Sequence, residues 1–369
     1  MLKLLSTLQY GAFRYSFRSL VHAAVLSLLM MLLGYAFATG AEPAAGDSHD
    51  AGTVLGNATL DDLNTLTRIA FIHDGHDFHY FAMPGQLSTV IVGLSPDGKT
   101  AVGWSTYSND PVADPGATFM LDVQTWTFTA INPTQYSSTP YSWAVARGAS
   151  PSLRYVTGIA GNTGDPNTVG FIWDRLTNKT RIVTTIPGCE NGVGVSRAND
   201  QGDALEYCFV PPDYHINALL VPGNAEGTEN TALVPLVPSG ATAASNISPL
   251  GINSWEMIVG EWSTTLSAPN QGFFARPNGL GQFEIMSYKV PNAYSTTLSG
   301  INDQGVIAGN YADGDATHIT RGPIFKLSNI DGRPVLFDPG EGYSAQSWGI
   351  NALGWIHGYV QTVATALQQ

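Results

Sequence analysis

A hairpin motif that returns about every fifty residues, four short strand-like segments per return, and a last unit divided between the two ends of the chain together predict an all-β fold, a six-bladed β-propeller. The motif reads GLSPDGKTAVG at 93–103, ASPSLRYVTG at 149–158, SRANDQGDALEY at 196–207, GINSWEMIVG at 251–260, GINDQGVIAG at 300–309 and GINALGWIHG at 349–358. With the turn placed at Gly98, Leu153, Gly202, Trp255, Gly305 and Gly354, the spacings are 55, 49, 53, 50 and 49 residues. Each copy is an apolar run, a Gly, Asn or Asp turn, and a second apolar run, the pattern of two antiparallel strands a and b.

A third strand follows in each unit. Gly170, Gly272 and Gly322 each lie 17 residues beyond their turn position and open GFIWD, GFFAR and GPIFKL. A fourth run ends in Pro or Pro-Gly, as in RIVTTIPG at 181–188, FEIMSYKVP at 283–291 and PVLFDPG at 334–340. After Gly358 only eleven residues remain, too few for strands c and d of the last unit. They are found at the other end: RIAFIHDGHDFHYFAMPG at 68–85 aligns with GPIFKLSNIDGRPVLFDPG at 322–340. The N-terminal strands therefore complete the C-terminal blade, which closes the ring and removes open edges.

Composition agrees with this layout. The 369 residues carry 16 basic and 29 acidic side chains, with 40 Gly and 22 Pro. That is too little charge for coiled coils or helical bundles, and 44% hydrophobic residues is too apolar for a disordered chain. A net charge of −13 with no clustered Lys or Arg excludes a nucleic-acid partner. Lys3, Arg14 and Arg18 precede an uncharged stretch from Ser19 to Ala41, so residues 1–41 read as an export signal. The run from Leu20 to Ala38 is long enough to serve instead as an uncleaved membrane anchor, the one route to a membrane. The rest of the chain is expected in the periplasm or outside the cell. Removing those three basic residues takes the net charge from −13 to −16. A linker at 42–65, the propeller at 66–360 and a tail at 361–369 complete the layout. The two cysteines, Cys189 and Cys208, flank a hairpin, and a disulfide between them suits an oxidising compartment.

The stretches GINDQGVIAGNYADGDATHITRGPIF at 300–325 and WGINALGWIHGY at 348–359 resemble the bacterial exported repeat family called HAF. The likeness is strongest over 296–360 and weakest in the third unit, where Tyr207 replaces the final Gly; the family's His before the third strand is missing from most units. It implies an exported propeller-like repeat and no particular activity.

Candidate sites stand out from the repeat in three places. Asn302-Asp303 and Asn199-Asp200 have ligand chemistry but occupy the a–b turn, where such side chains bond to nearby backbone. His73, Asp74, His76, Asp77 and His79 crowd the c–d hairpin of the closing blade, and His73, His76 and His79 suit a transition metal, against the plainer reading of a polar hairpin. Asp313, Asp315 and His318 lie between strands b and c of the fifth unit; Asp110, Asp114, Asp165, Glu190, His215 and Tyr343 map to loops on the same face. Carboxylates there, Asp313 and Asp315 foremost, could hold calcium, with Asp165, His215 and Tyr343 touching a ligand and Glu190 or His318 acting as a base. Solvated loops on an acidic protein are the alternative.

No GxSxG elbow or HExxH occurs; Gly194-Val195-Ser196-Arg197-Ala198 lacks the final Gly. Trp104, Trp143, Trp262 and Trp348 offer stacking surfaces for a sugar, or core between blades. The leading expectation is an exported propeller that binds a protein, glycan or small ligand through its loop-lined face. A calcium-dependent hydrolase of lactones or other esters is the alternative, and a purely structural envelope component a third possibility.

Overall fold

The computed structural model describes residues 56–109, 114–163, 168–184, 191–210, 215–223, 225, 234–243, 245–265, 267–314 and 319–362. The expected export segment lies outside these residues. Among the described residues no helix is long and apolar enough to cross a membrane.

Six four-stranded antiparallel sheets form the blades. Strands β1 (Ile69–His73) and β2 (Phe78–Phe81) come first in the chain. Blade 1 holds β3 (Ser88–Leu94), β4 (Thr100–Thr106), β5 (Ala117–Asp122) and β6 (Thr127–Ile131). Blade 2 holds β7 (Trp143–Ala149), β8 (Tyr155–Gly161), β9 (Val169–Asp174) and β10 (Lys179–Val183). Blade 3 holds β11 (Asn191–Ala198), β12 (Ala204–Val210), β13 (His215–Val221) and β14 (Val234–Pro235). Blade 4 holds β15 (Asn246–Ile252), β16 (Ile258–Ser263), β17 (Gln271–Pro277) and β18 (Phe283–Tyr288). Blade 5 holds β19 (Ser295–Ile301), β20 (Ile307–Gly314), β21 (Ile319–Leu327) and β22 (Val335–Phe337). Blade 6 takes β23 (Tyr343–Ile350) and β24 (Ile356–Thr362) from the C-terminal side, and β24 pairs with β1, as expected from the divided unit. The innermost strands β3, β7, β11, β15, β19 and β23 each touch both neighbouring innermost strands, so the ring is closed.

Two sequence placements shift. In blade 4 the turn residue with left-handed backbone is Glu256 (φ 56°), not Trp255, three positions after Asn253 just as Gly305 follows Asn302. In blade 5 the register of Gly170 and Gly272 is held by Ile324 instead of Gly322, because the stretch from Gly309 to Phe325 is longer than those from Gly158 to Phe171 and from Gly260 to Phe273. The last part of the expected linker is also built into the propeller: Leu63, in a 3-10 turn at Leu60–Asn64, is buried against blade 6.

A single pairing repeats inside the blades. A glycine on the second strand faces a phenylalanine on the third: Gly103 with Phe119, Gly158 with Phe171, Gly260 with Phe273, Gly309 with Phe325 and Gly358 with Phe71. All five rings are fully buried. A Cβ on Gly309 would stand 2.4 Å from the Phe325 ring, so the glycine is required by the close approach. The apolar core divides into six clusters, one at each blade junction. This covers most strands on both faces, which is why so few charged residues are needed.

The Asn of the turn motif joins neighbouring blades. Asn302 Oδ1 accepts from the amides of Gln304 (3.1 Å) and Val306 (3.0 Å), while its Nδ2 donates 3.0 Å to the carbonyl of Asn351 in blade 6. Asn199, Asn253 and Asn351 repeat the reach, the last to Ser95 of blade 1 across the closure. The Asp that follows completes the clasp: Asp303 accepts from Ser254 Oγ at 2.9 Å and Asp200 from Ser152 Oγ at 2.6 Å. Asn-Asp is therefore structural, as its turn position suggested.

Candidate functional site

Every innermost strand carries a β-bulge at the same place, just before the first glycine of the turn motif in five blades and before Arg197 in blade 3. A bulge inserts one unpaired residue and re-aims its side chain. The inserted residues are Val92, Arg147, Ser196, Leu250, Ser299 and Trp348, one per blade. Five of them, all but Val92, line a cavity of about 360 Å³ between the innermost strands. A second cavity, about 400 Å³, adjoins it through shared walls at Arg147 and Trp348. Its walls include Thr106 and Asp114 at the b–c connection of blade 1 and Ser88 at the start of β3, so it is the mouth on the loop-lined face.

Opposite that mouth lies Arg197. The repeat places Gly93, Gly148, Gly251, Gly300 and Gly349 at this position, and only blade 3 has a side chain there. Its Nη2 donates 2.6 Å to the Trp348 carbonyl of blade 6, on the far side of the ring. The guanidinium fits because its neighbours are glycines: a Cβ on Gly148 would come within 3.2 Å of Nε, and one on Gly349 within 3.1 Å of Nη1. Arg197 thus crosses the channel as a floor. It is 7% exposed, and burial alone lowers its pKa to about 10, which leaves it protonated at neutral pH. Burial first, then the charge of Arg197, depress His357 to about 3, so this buried imidazole is neutral.

The wall of the inner cavity is largely apolar, and the polar groups set into it are short of negative charge. Arg147 and Arg197 both present a buried Nε with no hydrogen-bond partner. Tyr207 is pushed up by burial and drawn partly back by Arg147. Glu261 is the one acidic residue on the inner cavity; burial raises its pKa against hydrogen bonds from Thr297 (2.6 Å) and Asn270. Ser299 and Ser347 hydroxyls meet at 2.6 Å, and Ser196 Oγ donates 3.2 Å to the Leu205 carbonyl. At the mouth Arg68 lies 5.8 Å from the Trp104 ring and 5.1 Å from Tyr359, with Arg147 5.8 Å from the same tryptophan. The Nε of Arg68 and the Nε1 of Trp104 are also buried without partners.

The loop residues singled out from the sequence fare differently. Asp114 is buried and committed to its own loop, accepting from the amides of Tyr107, Ser108 (2.9 Å) and Gly116 (3.1 Å). Asp313 is exposed on β20 and lines neither cavity. Tyr343 packs into the apolar cluster between blades 5 and 6, away from both cavities. His215 lies on β13, paired with Val210. Asp110, Asp165, Glu190, Asp315, His318 and Cys189 lie outside the described residues; Cys208 is fully buried, and no cysteine among the described residues is free.

The transition-metal grouping of His73, His76 and His79 is not assembled. His73 is buried between Phe78 and Phe337, ring centroids 4.7 and 4.2 Å away, and its Nδ1 accepts from the Gly75 amide. Burial lowers it to about 4. His76 is exposed, and His79 Nε2 sits 2.9 Å from Asp74 Oδ2. The turn explains the pattern: Asp74 Oδ1 accepts from both the His76 and Asp77 amides, which closes the hairpin. Among the described residues no three His, Cys, Asp or Glu converge on one point.

Sequence reasoning missed Arg68, Arg147, Arg197 and Tyr207. The signal was present in the aligned motif. The inserted position reads Val, Arg, Ser, Leu, Ser and Trp around the ring, whereas the position after it is Gly in five blades and Arg197 in the third. Five of these six side chains face the channel, and Val92 packs into the core between blades 1 and 2. Of the tryptophans, Trp104 and Trp348 line the channel, whereas Trp262 is core and donates 3.1 Å to Ser287. Trp143 is half-buried against the cluster between blades 1 and 2.

No protein-family model and no curated protein matches the chain. Among solved structures it is similar to the β-propeller domain of the trilobed protease from Pyrococcus furiosus, with TM-score 0.46 and 10% identity over 79% of each chain. The hydrazine synthase of Kuenenia stuttgartiensis gives TM-score 0.42 and 12% identity, covering 74% of this chain and 72% of that one. Oligogalacturonate lyase from Vibrio parahaemolyticus gives 0.39 and 10%, covering 75% and 92%.

Proposed function

We propose that this chain is an exported binding propeller that takes a small ligand into its central channel from the loop-lined face. The observation that carries the reading is the ring of bulges. Five blades aim an inserted side chain, Arg147, Ser196, Leu250, Ser299 and Trp348, into one cavity, although the surrounding backbone repeats. A volume of about 360 Å³ is in the range of small-molecule sites, and a few convergent polar groups on a partly apolar wall are their usual lining. Buried polar atoms lacking a partner point the same way, since folded proteins satisfy nearly all of theirs.

Export, membership of the HAF-type repeats and a Cys189–Cys208 bond belong to this proposal. The bond would tie β12 to the segment entering β11, beside the most altered blade.

The test is a thermal-shift screen of small metabolites and monosaccharides against the wild type and Trp348→Ala. A channel ligand should raise the melting temperature of the wild type and lose that effect in the variant. Hits equally strong in both would place binding elsewhere and overturn the channel reading. Ester and lactone turnover measured with and without EDTA covers the hydrolase alternative: turnover abolished by chelation would replace binding by calcium-dependent catalysis.

A further inference from the structure

The charge balance of the channel says what kind of ligand belongs there. Arg197 is more than nine-tenths buried, crosses the channel floor, and has a carbonyl as its hydrogen-bond partner on the far side. Its neighbour His357 is neutral. No ion pair is formed by Arg68, Arg147 or Arg197 among the described residues. Glu261 on the same wall is turned into hydrogen bonds with Thr297 and Asn270. Burying a cation without a counter-charge is strongly unfavourable. An arginine held at that cost, at a position that is glycine in the other five blades, makes sense where the missing anion arrives from outside. Arg147 stands at the junction of the two cavities, where an incoming anion must pass.

We infer that the channel binds a small hydroxylated acid, its oxyanion held by Arg197 and Arg147 and its hydroxyl groups by the serines of the wall. This rests on the channel-binding reading and names its ligand class. Guanidinium groups match carboxylate and phosphate oxygens in pairs, so both anions share the required chemistry. Ser196, Ser299 and Ser347 supply hydroxyls that donate and accept, and Trp348 gives the flat face on which a sugar ring stacks. The fit is to one ring-sized molecule.

Thermal shift and calorimetry with glucuronate, glucose 6-phosphate and glucose, at low ionic strength, test the inference. Glucuronate, glucose 6-phosphate or both should bind while neutral glucose does not, and the preferred anion separates carboxylate from phosphate. Arg197→Met and Arg147→Gln should each weaken the acid at least tenfold, the scale of one charge-assisted hydrogen bond. Arg197→Met should also melt above the wild type when ligand-free, because the uncompensated charge is gone; this shows that the variant folds and reads the charge deficit without any ligand. Three results would overturn the inference: binding of none of the acids, acid binding untouched by Arg197→Met, or a lower melting point for that variant. Glucose bound as tightly as glucuronate, with loss in Trp348→Ala, would remove the anion and leave the channel site standing.

Discussion

Blades 3 and 5 have the same four strands and the same bulge, yet they treat the repeat in opposite ways. Blade 5 keeps Gly300 at the channel, Gly309 against Phe325, and Asn302 clasped to the next blade. Blade 3 keeps the clasp through Asn199 but puts Arg197 where the glycine belongs and inverts the packing pair, with Tyr207 opposite Ala218. Both changes point inward: Arg197 and Tyr207 line the cavity, and a Cβ on Gly194 would stand 2.3 Å from the Tyr207 ring. The contrast separates residues that build a blade from residues that furnish the channel.

The largest expected effect tests the building half. Phe325→Ala empties the space above Gly309 and should cost about 3–5 kcal/mol, the usual range for a fully buried ring. Urea unfolding of the variant measures it. A loss below about 1 kcal/mol would mean that the Gly–Phe pair is decoration, and blade 3's inversion would then need no explanation.

Next comes a pH effect confined to blade 3. Glu206, one residue before Tyr207, is 3% exposed, and burial raises its pKa to about 7 although Arg181 pulls it down. Blade 5 has Ala308 there. With the folded pKa above the unfolded value near 4.5, the native state binds more protons between those limits, so stability falls as pH rises from about 4.5 through 7. A shift of that size is worth about 3 kcal/mol at most. Glu206→Gln removes the dependence, so it should match the wild type at pH 4 and exceed it at pH 8. Parallel stability curves for the two proteins across that range would show that Glu206 titrates normally.

Most of the fold could be read from the chain because it rests on repetition: a glycine returning every fifty residues, and an asparagine in four of the six units, each mark a fixed backbone need. The divided blade was legible for the same reason, since RIAF at 68–71 carries the Phe that GPIF carries at 322–325. The channel was not legible from residue type. Arg197 and Arg147 look like ordinary surface cations until the bulge and the ring geometry bring strands from opposite blades together. The His73–His79 group misled because density of ligand-type residues in sequence says nothing of direction. His73 turns into the aromatic core, and His76 turns out to solvent.

The inter-blade clasp gives a smaller effect that blades 3 and 5 should share. Asn302→Ala leaves the Gln304 and Val306 amides and the Asn351 carbonyl without their partner, at about 1–3 kcal/mol. Asn199→Ala should cost a similar amount, because its clasp is intact despite the altered blade. Clearly unequal losses in matched unfolding experiments would show that blade 3 has departed from the repeat in its joints as well as in its channel face.

The smallest effect on stability carries the sharpest test of the comparison. Tyr207→Gly with Ala218→Phe restores to blade 3 the pair found in the other five blades. The backbone register there already matches, with Tyr207 facing Ala218 as Gly309 faces Phe325. The swap roughly conserves core volume, so its cost should stay below about 1.5 kcal/mol. It also removes a tyrosine from the cavity wall next to Arg147, so the same variant should lose channel binding while keeping its fold. If instead it unfolds, Tyr207 is a packing solution peculiar to blade 3. If it folds and binds as before, the inversion is drift and the ligand is held by the bulge residues and Arg197 without it.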